Sequence, residues 1–370
     1  MQLSITAFEE RLRAKARRER KPVACIFELT PACNLRCQFC YVALEPYKGP
    51  YLTTEQICRI LDKLAAADVL WLVLTGGEIL SRRDFPQIYA HAQSKGFLVT
   101  LFTNATMVSE RVVEILRASP PFSVEVSIYG ADAEHYERTT QIPGSFARFE
   151  RGVERLLDAG VRLVMKTPLS TLTEDHVPAI VDWCRARGLP FKLDPAMDAR
   201  HDGGQQPKVF RIAPRGVKRV VDEIDRLNGL PPAPPPLPDC LEKPPEGTGR
   251  EQLYQCGAGR TSVFVDALGM ASHCVIDRDP AFPLLDMEFE EVWARIGAWV
   301  TQPLPPEAPC SGCTLRKSCS NCPARSRLAN GSPYLKDPYY CDITHIEHGL
   351  EPERHPARFG ARRSLAACAV

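Results

Sequence analysis

The chain has 370 residues, room for two domains or for one barrel with an extension. Hydrophobic residues make up 44%, so a sizeable core can be buried, and a formal net charge of +1 excludes bulk nucleic-acid binding through a basic surface. No apolar run approaches the ~20 residues that cross a bilayer, and the start, MQLSITAFEERLRAK, lacks the apolar stretch of a secretory signal. Fifteen cysteines in a chain with no sign of export point to a cytoplasmic protein whose clustered thiols serve metal or iron–sulfur ligation.

Residues 1–21 read as a basic N-terminal arm, a charged helix or a disordered stretch carrying Arg11, Arg13, Lys15, Arg17, Arg18, Arg20 and Lys21. Such a run is a solvated face unless it grips an acidic peptide or a phosphate. From residue 22 the pattern becomes regular. Strands are expected at 23–29, 69–75, 97–103, 122–128, 161–167 and 190–194. Helices are expected at 54–66, 86–94, 109–118, 145–159 and 174–187, the first opened by a Thr cap with Glu55 near its start. Apolar strands alternating with helices make a parallel sheet covered by helices, and right-handed crossovers curl it into a barrel or partial barrel over 22–228. The chemistry of such folds sits at the C-terminal strand ends. Residues 229–248 are a Pro-rich linker and the domain boundary. Beyond it, 249–345 is organised by cysteines, and 346–370 is a tail.

Directly after the first strand come Cys33, Cys37 and Cys40, at C-x3-C-x2-C spacing. Thiolates so spaced can close on one face of an iron–sulfur cube and leave one iron without a protein ligand, free to bind a small molecule. The alternatives are a zinc site or three unrelated thiols. Structural zinc wants four ligands, usually as two pairs, and no fourth Cys or His lies nearby in the sequence.

With Phe39 before the third cysteine, this stretch resembles the signature of the radical S-adenosylmethionine (SAM) superfamily. The resemblance implies a partial (β/α)6, TIM-like barrel and a [4Fe–4S] cluster whose open iron chelates SAM. It further implies one-electron cleavage of SAM to methionine and a 5′-deoxyadenosyl radical, which abstracts hydrogen from a substrate carbon. Gly76, Gly77 and Glu78 resemble the family's GGE motif, which binds the methionine amino group; by themselves they read as a turn. Thr103-Asn104 resembles the T-N-G element, with Ala105 where glycine is usual. Ser127 resembles the ribose-contacting Ser of S-[LI]-D-G, with Tyr129 in place of the Asp. Arg138 matches an Arg that reaches the SAM carboxylate in related maturases, and Tyr41 is a candidate to lie against the adenine. Surface exposure is the plain alternative for Arg138, and core packing for Tyr41. Glu28, Lys166 and Asp194 fall near strand ends one, five and six, as candidates for substrate contact or proton handling or as satisfied interior groups.

The second framework is Cys256, Cys274, Cys310, Cys313, Cys319, Cys322 and Cys341. Read on spacing alone, it allows a pair of zinc sites built from CxxC knuckles. Its order resembles the SPASM domain appended to radical SAM barrels, except that two residues instead of three separate Cys319 from Cys322. The resemblance implies two auxiliary [4Fe–4S] clusters. One is held by Cys310, Cys313, Cys319 and Cys341; the other, nearer the active site, by Cys256, Cys274 and Cys322. The fourth ligand of the nearer one is open, with Cys240 as a candidate. Cys25, Cys58, Cys184 and Cys368 read as ordinary thiols.

The expected function is oxidative modification of a ribosomally synthesised peptide, by a thioether or carbon–carbon crosslink. Extra clusters suit a reaction that must dispose of an electron. Val275, where sulfatase maturases carry an Asp proton acceptor, argues against sulfatase maturation. So few residues precede the first strand that the winged-helix leader-binding module of some relatives is expected to be absent. A separate carrier protein would then present the peptide, and a flavodoxin or ferredoxin would supply electrons. The second reading is radical oxidation of a small molecule or tetrapyrrole. The third is a non-catalytic zinc- or cluster-binding protein.

Overall fold

The computed structural model describes residues 5–42, 51–227, 252–319 and 321–351. The expected linker at 229–248 with Cys240, and the tail beyond 351 with Cys368, lie outside the described residues.

Six strands are parallel neighbours in chain order: β1 (Ala24–Glu28), β2 (Trp71–Thr75), β3 (Leu98–Thr103), β4 (Ser123–Ser127), β5 (Leu163–Pro168) and β6 (Phe191–Asp194). They alternate with helices α2 (Thr54–Ala66), α3 (Phe85–Ser94), α4 (Glu110–Ala118), α5 (Ala133–Thr140), α6 (Ser145–Asp158) and α7 (Val177–Arg185). The expected strands recur, trimmed at their ends. Period-two alternation sends Cys25, Phe27, Leu72, Leu74, Val99, Leu101, Val124 and Val126 onto the helices, where all are buried. Facing them are Ile57, Ile60, Leu61, Leu64, Ile88, Val113, Phe149 and Val153. Burying each large side chain contributes roughly 1.5–3 kcal/mol. The other strand face carries Glu28, Phe102, Glu125, Ser127, Lys166 and Lys192 toward the barrel interior, so polar groups collect on one side of the sheet.

The sheet does not stop at β1. Strand β7 (Ser262–Val265) pairs parallel to its other edge, with Ala24 opposite Ser262 and Phe27 opposite Val265. Strands β8 (Met270–Ser272) and β9 (Phe282–Pro283) continue antiparallel, completing the order β6-β5-β4-β3-β2-β1-β7-β8-β9. The cysteine-rich region therefore extends the barrel sheet itself. Its helices are α9 (Phe289–Val300), α10 (Pro323–Asn330) and α11 (Pro338–Glu347). Between the halves lies α8 (Pro214–Leu227), whose Val217, Val220 and Ile224 form a second core with Val181 of α7 and Tyr339, Tyr340 and Ile343 of α11.

The basic arm is α1 (Ile5–Glu19) and the residues after it. Part of its charge is structural. The Arg13 guanidinium lies 4.6 Å from the Trp71 ring. Both terminal nitrogens of Arg20 donate to the Trp293 carbonyl at 2.9 Å, while Trp293 Nε1 donates to the Arg20 carbonyl at 2.7 Å. Arg11, Lys15 and Arg18 stay exposed, as a solvated face requires. Among the described residues no helix is long and apolar enough to cross a membrane.

Candidate active site at the strand ends

The loop after β1 is held on both sides. On one side it continues β1's pairing with the exit of β2: Leu29 N donates to the Thr75 carbonyl at 2.8 Å, Gly77 N to Thr30 at 2.7 Å and Glu78 N to Ala32 at 2.8 Å. A side chain at Gly76 would strike the Thr30 carbonyl, and one at Gly77 the carbonyls of Pro31 and Ala32. These glycines thus let the two loops lie together. On the other side, Arg36 N and Gln38 N donate to the carbonyls of Thr140 and Thr139 at 3.0 and 3.2 Å. These are C-terminal carbonyls of α5 that have no partner within the helix. Cys40 N closes a turn on the Cys37 carbonyl at 3.1 Å.

Cys33, Cys37 and Cys40 are thereby gathered at the C-terminal end of β1. Burial raises all three thiols, Cys33 to about 11, and the charges of Cys33 and Cys40 each add to the effect on Cys37. Leu35 N donates to Cys33 Sγ at 3.4 Å. Thiols that disfavour one another's ionisation are a receptor for positive charge.

Around them, Glu78 is fully buried, and both its oxygens are taken. Oε1 accepts from Leu80 N at 3.0 Å and Thr103 Oγ1 at 2.8 Å; Oε2 accepts from Asn104 N at 2.7 Å. Burial raises its pKa against the pull of these donors. Its carboxylate ties the end of β2 to that of β3. The Asn104 carboxamide reaches Cys33 Sγ at 3.8 Å. Ala105 adopts φ 60°, the left-handed conformation that favours glycine. Ser127 ends β4 on the interior face.

Helix α5, which the sequence reading passed over, turns Tyr136 inward and Arg138 outward. Arg138 is exposed and donates to the Leu172 carbonyl at 3.0 Å, away from the cysteines. Tyr136 is fully buried, its hydroxyl has no hydrogen-bond partner among the described residues, and Cys37, Glu78 and Cys33 all act on it electrostatically. Tyr136, Thr139 and Thr140 face inward at i, i+3, i+4 spacing, a signal legible in the sequence. Tyr41 is 41% exposed as a residue, its carbonyl accepts from His201 N and Nδ1, each at 3.1 Å, and burial around its hydroxyl raises the phenol above its ordinary range.

The three substrate-facing candidates do not form one group. Glu28 is buried and paired with Arg278 from the C-terminal region, Nη2 to Oε2 at 2.6 Å. Lys166 sits 3.0 Å from the Phe102 ring centroid and 3.4 Å from Glu125 Oε2, while Lys192 takes Oε1 at 2.9 Å. Burial pushes the Lys166 amine down to about 8. Asp194, exposed at the free edge, accepts from Ala196 N at 3.0 Å.

The C-terminal cysteines fall into two sets. Cys274 feels the charges of Cys256 and Cys322 feels that of Cys274, whereas Cys310 feels Cys319 and Cys313. Helix α11 carries Cys341, and its Thr344 Oγ1 donates to Cys319 Sγ at 3.4 Å. Elsewhere, Asp132, His135 and His176 bring three potential ligand atoms within 4.8 Å of one another. The two imidazoles are stacked 3.6 Å apart and 6° from parallel, so their in-plane lone pairs do not converge on one point.

Residues 27–184 match the model of the Radical SAM superfamily. The chain belongs to the radical SAM superfamily. It is a radical SAM enzyme, of the class that works with a [4Fe–4S] cluster and SAM. It is 26% identical over 338 residues to an AdoMet-dependent heme synthase of Methanosarcina barkeri, covering 85% of this chain and 95% of that protein. It is 23% identical over 348 residues to the PqqA peptide cyclase of Granulibacter bethesdensis, covering 89% and 90%. Among solved structures, Streptococcus suis SuiB bound to its precursor peptide SuiA superposes with a TM-score of 0.70 at 16% identity, over 91% of this chain and 82% of that one. That superposition takes in the cysteine-rich region, so this radical SAM chain shares the fold of SPASM-type members.

Proposed function

We propose that this radical SAM enzyme oxidatively modifies a ribosomally synthesised peptide, forming a thioether or carbon–carbon crosslink. The observation that carries the reading is a trio of fixed thiols at the mouth of a half-open barrel. Its last strand, β6, ends the sheet on one side. Kinship with a peptide cyclase and the fold shared with a precursor-peptide complex support it. Cys33, Cys37 and Cys40 would hold the cluster; their mutually repelling thiols and the orphaned Tyr136 hydroxyl fit a bound group there. That group supplies one-electron cleavage of SAM and a radical able to abstract hydrogen. Tyr41, Gly76, Gly77 and Ser127 line the strand ends where SAM would sit, and Glu78 and Asn104 shape them. Lys166, whose amine burial brings down to about 8, would hold or take a proton in the interior. Cys310, Cys313, Cys319 and Cys341 would hold one auxiliary [4Fe–4S] cluster, and Cys256, Cys274 and Cys322 another, as electron acceptors. An external flavodoxin or ferredoxin would supply the reducing electron.

A second reading is oxidation of a tetrapyrrole, favoured by the near full-length match to a heme synthase. Anaerobic reconstitution with SAM and dithionite is expected to yield 5′-deoxyadenosine; its absence with a fully loaded cluster rejects the reading. Mass spectrometry then separates the substrates. A co-expressed peptide encoded beside this chain should lose two hydrogens per crosslink, whereas turnover of an iron tetrapyrrole with the peptide unchanged supports the second reading.

A further inference from the structure

Three side chains beside Cys33 form a closed hydrogen-bonded ring. Asn34 Nδ2 donates to Thr106 Oγ1 at 2.7 Å, Thr106 Oγ1 donates to Asn104 Oδ1 at 2.6 Å, and Asn104 Nδ2 donates to Asn34 Oδ1 at 3.0 Å. The direction of the ring is fixed. Thr106 backbone N, which can only donate, also reaches Asn104 Oδ1 at 2.9 Å. The carboxamide therefore cannot flip, and its NH2 must face Cys33. One of the two N–H bonds is used on Asn34. The other is directed at Cys33 Sγ, 3.8 Å away. Asn104 is 7% exposed, held in place beside the more exposed Cys33.

We infer that Asn104 is a positioning residue that tunes the cluster held by Cys33, donating a fixed N–H to its sulfur and so making the cluster easier to reduce. The inference rests on the reading of Cys33 as a cluster ligand. Reduction adds negative charge to an iron–sulfur cluster, and hydrogen bonds to its sulfurs stabilise the more negative state. In this role Asn104 touches neither SAM nor substrate; it acts through the sulfur. The backbone donor from Leu35 N to the same sulfur is unaffected by any change at residue 104.

The test is a reductive titration of the reconstituted full-length enzyme, followed by the EPR signal that shifts on adding SAM. That response separates the three-cysteine cluster from any auxiliary one. Asn104→Leu removes the donor and Asn104→Asp replaces it with a negative charge. Both are expected to move the midpoint potential to more negative values, Asp further than Leu. At fixed potential, the oxidised-to-reduced ratio should rise by roughly three- to tenfold for Leu, the order commanded by one hydrogen bond. Thr106→Val breaks the ring but keeps the backbone anchor on Oδ1, so it should lower thermal stability and leave the potential in place. If Asn104→Leu assembles no cluster, Asn104→Ser carries the comparison. An unchanged potential in the Leu or Ser variant overturns the inference, as does an equal shift in Thr106→Val. A wild-type protein that assembles no SAM-responsive cluster instead rejects the reading on which the inference rests.

Discussion

Glu78 is where a ligand-binding role and a fold-holding role predict different measurements. Its three donors, Leu80 N, Thr103 Oγ1 and Asn104 N, lie 2.7–3.0 Å away in a fully buried site. Glu78→Gln keeps the shape and the acceptor for Leu80 and Thr103, but turns an NH2 toward Asn104 N–H. Two donors then face each other without an acceptor. Each unsatisfied buried donor costs ~1–3 kcal/mol, so two of them should cost about 2–6 kcal/mol. For a cooperative unit of about 150–250 residues that is a fall in Tm of roughly 4–24 °C. The assay is scanning calorimetry of metal-free protein under anaerobic reducing conditions, with SAM binding measured separately after reconstitution. Glu78→Ala, which strands three donors and leaves a void, should fall further. A Gln variant that melts with the wild type yet loses SAM would refute the clamp and return the carboxylate to the ligand.

Replacing Cys33, Cys37 and Cys40 together by Ala should remove about four irons per chain and abolish 5′-deoxyadenosine formation, by metal analysis and chromatography; retained iron at wild-type level contradicts the assignment. Arg278→Met should destabilise the protein by about 3–5 kcal/mol in denaturant titration, because it leaves Glu28 charged, buried and unpaired. The double variant Glu28→Gln/Arg278→Met should recover most of that loss. His176 titrates below its ordinary 6.5 because burial and then the nearby His135 disfavour its charge. The folded state thus binds fewer protons than the unfolded one, and stability should fall as pH drops below 6.5; His176→Asn should flatten that loss in melts across pH. Gly152→Ala should cost about 1–3 kcal/mol, since its methyl would land on the Ala105 carbonyl where α6 passes the end of β3.

The barrel was legible because its strands are short apolar runs with one period, and their trimmed ends reflect fraying at strand termini. Helix α8 is equally legible, with Val217, Val220, Val221 and Ile224 on one stripe, though it is not among the helices expected above. Helix α5 was harder. Its second half, Arg138-Thr139-Thr140, has weak helix propensity, and its start rests on one cap, Asp132 accepting from His135 N at 2.9 Å. The cysteine trio could be grouped from spacing, whereas the two C-terminal sets were implied only by the resemblance to the SPASM domain. Which side chain meets the Cys33 sulfur could not be read from spacing, since Asn104 arrives from the end of another strand. Nor could sequence show that Glu78 is already satisfied, because its partners belong to β3 and to the turn after it.

The pairing of β7 with β1 was the least legible feature and changes the mechanism most. Nothing local in either strand names its partner more than 230 residues away. Once paired, the C-terminal region becomes a wall of the barrel mouth. Arg278 closes on Glu28 beneath it. On the other flank, Asp198, just past β6, bonds both Arg325 of α10, at 3.1 Å, and the Tyr340 hydroxyl of α11, at 2.6 Å. Arg325 N in turn donates to Cys322 Sγ at 3.5 Å. The first and last of the six parallel strands, β1 and β6, are therefore each tied to the same cysteine-rich unit by a buried or half-buried ion pair. Under the oxidative reaction proposed above, the electron left after hydrogen abstraction would need an acceptor before the substrate radical finds another hydrogen, and the Cys256, Cys274 and Cys322 set of this attached unit would be the candidate to hold it.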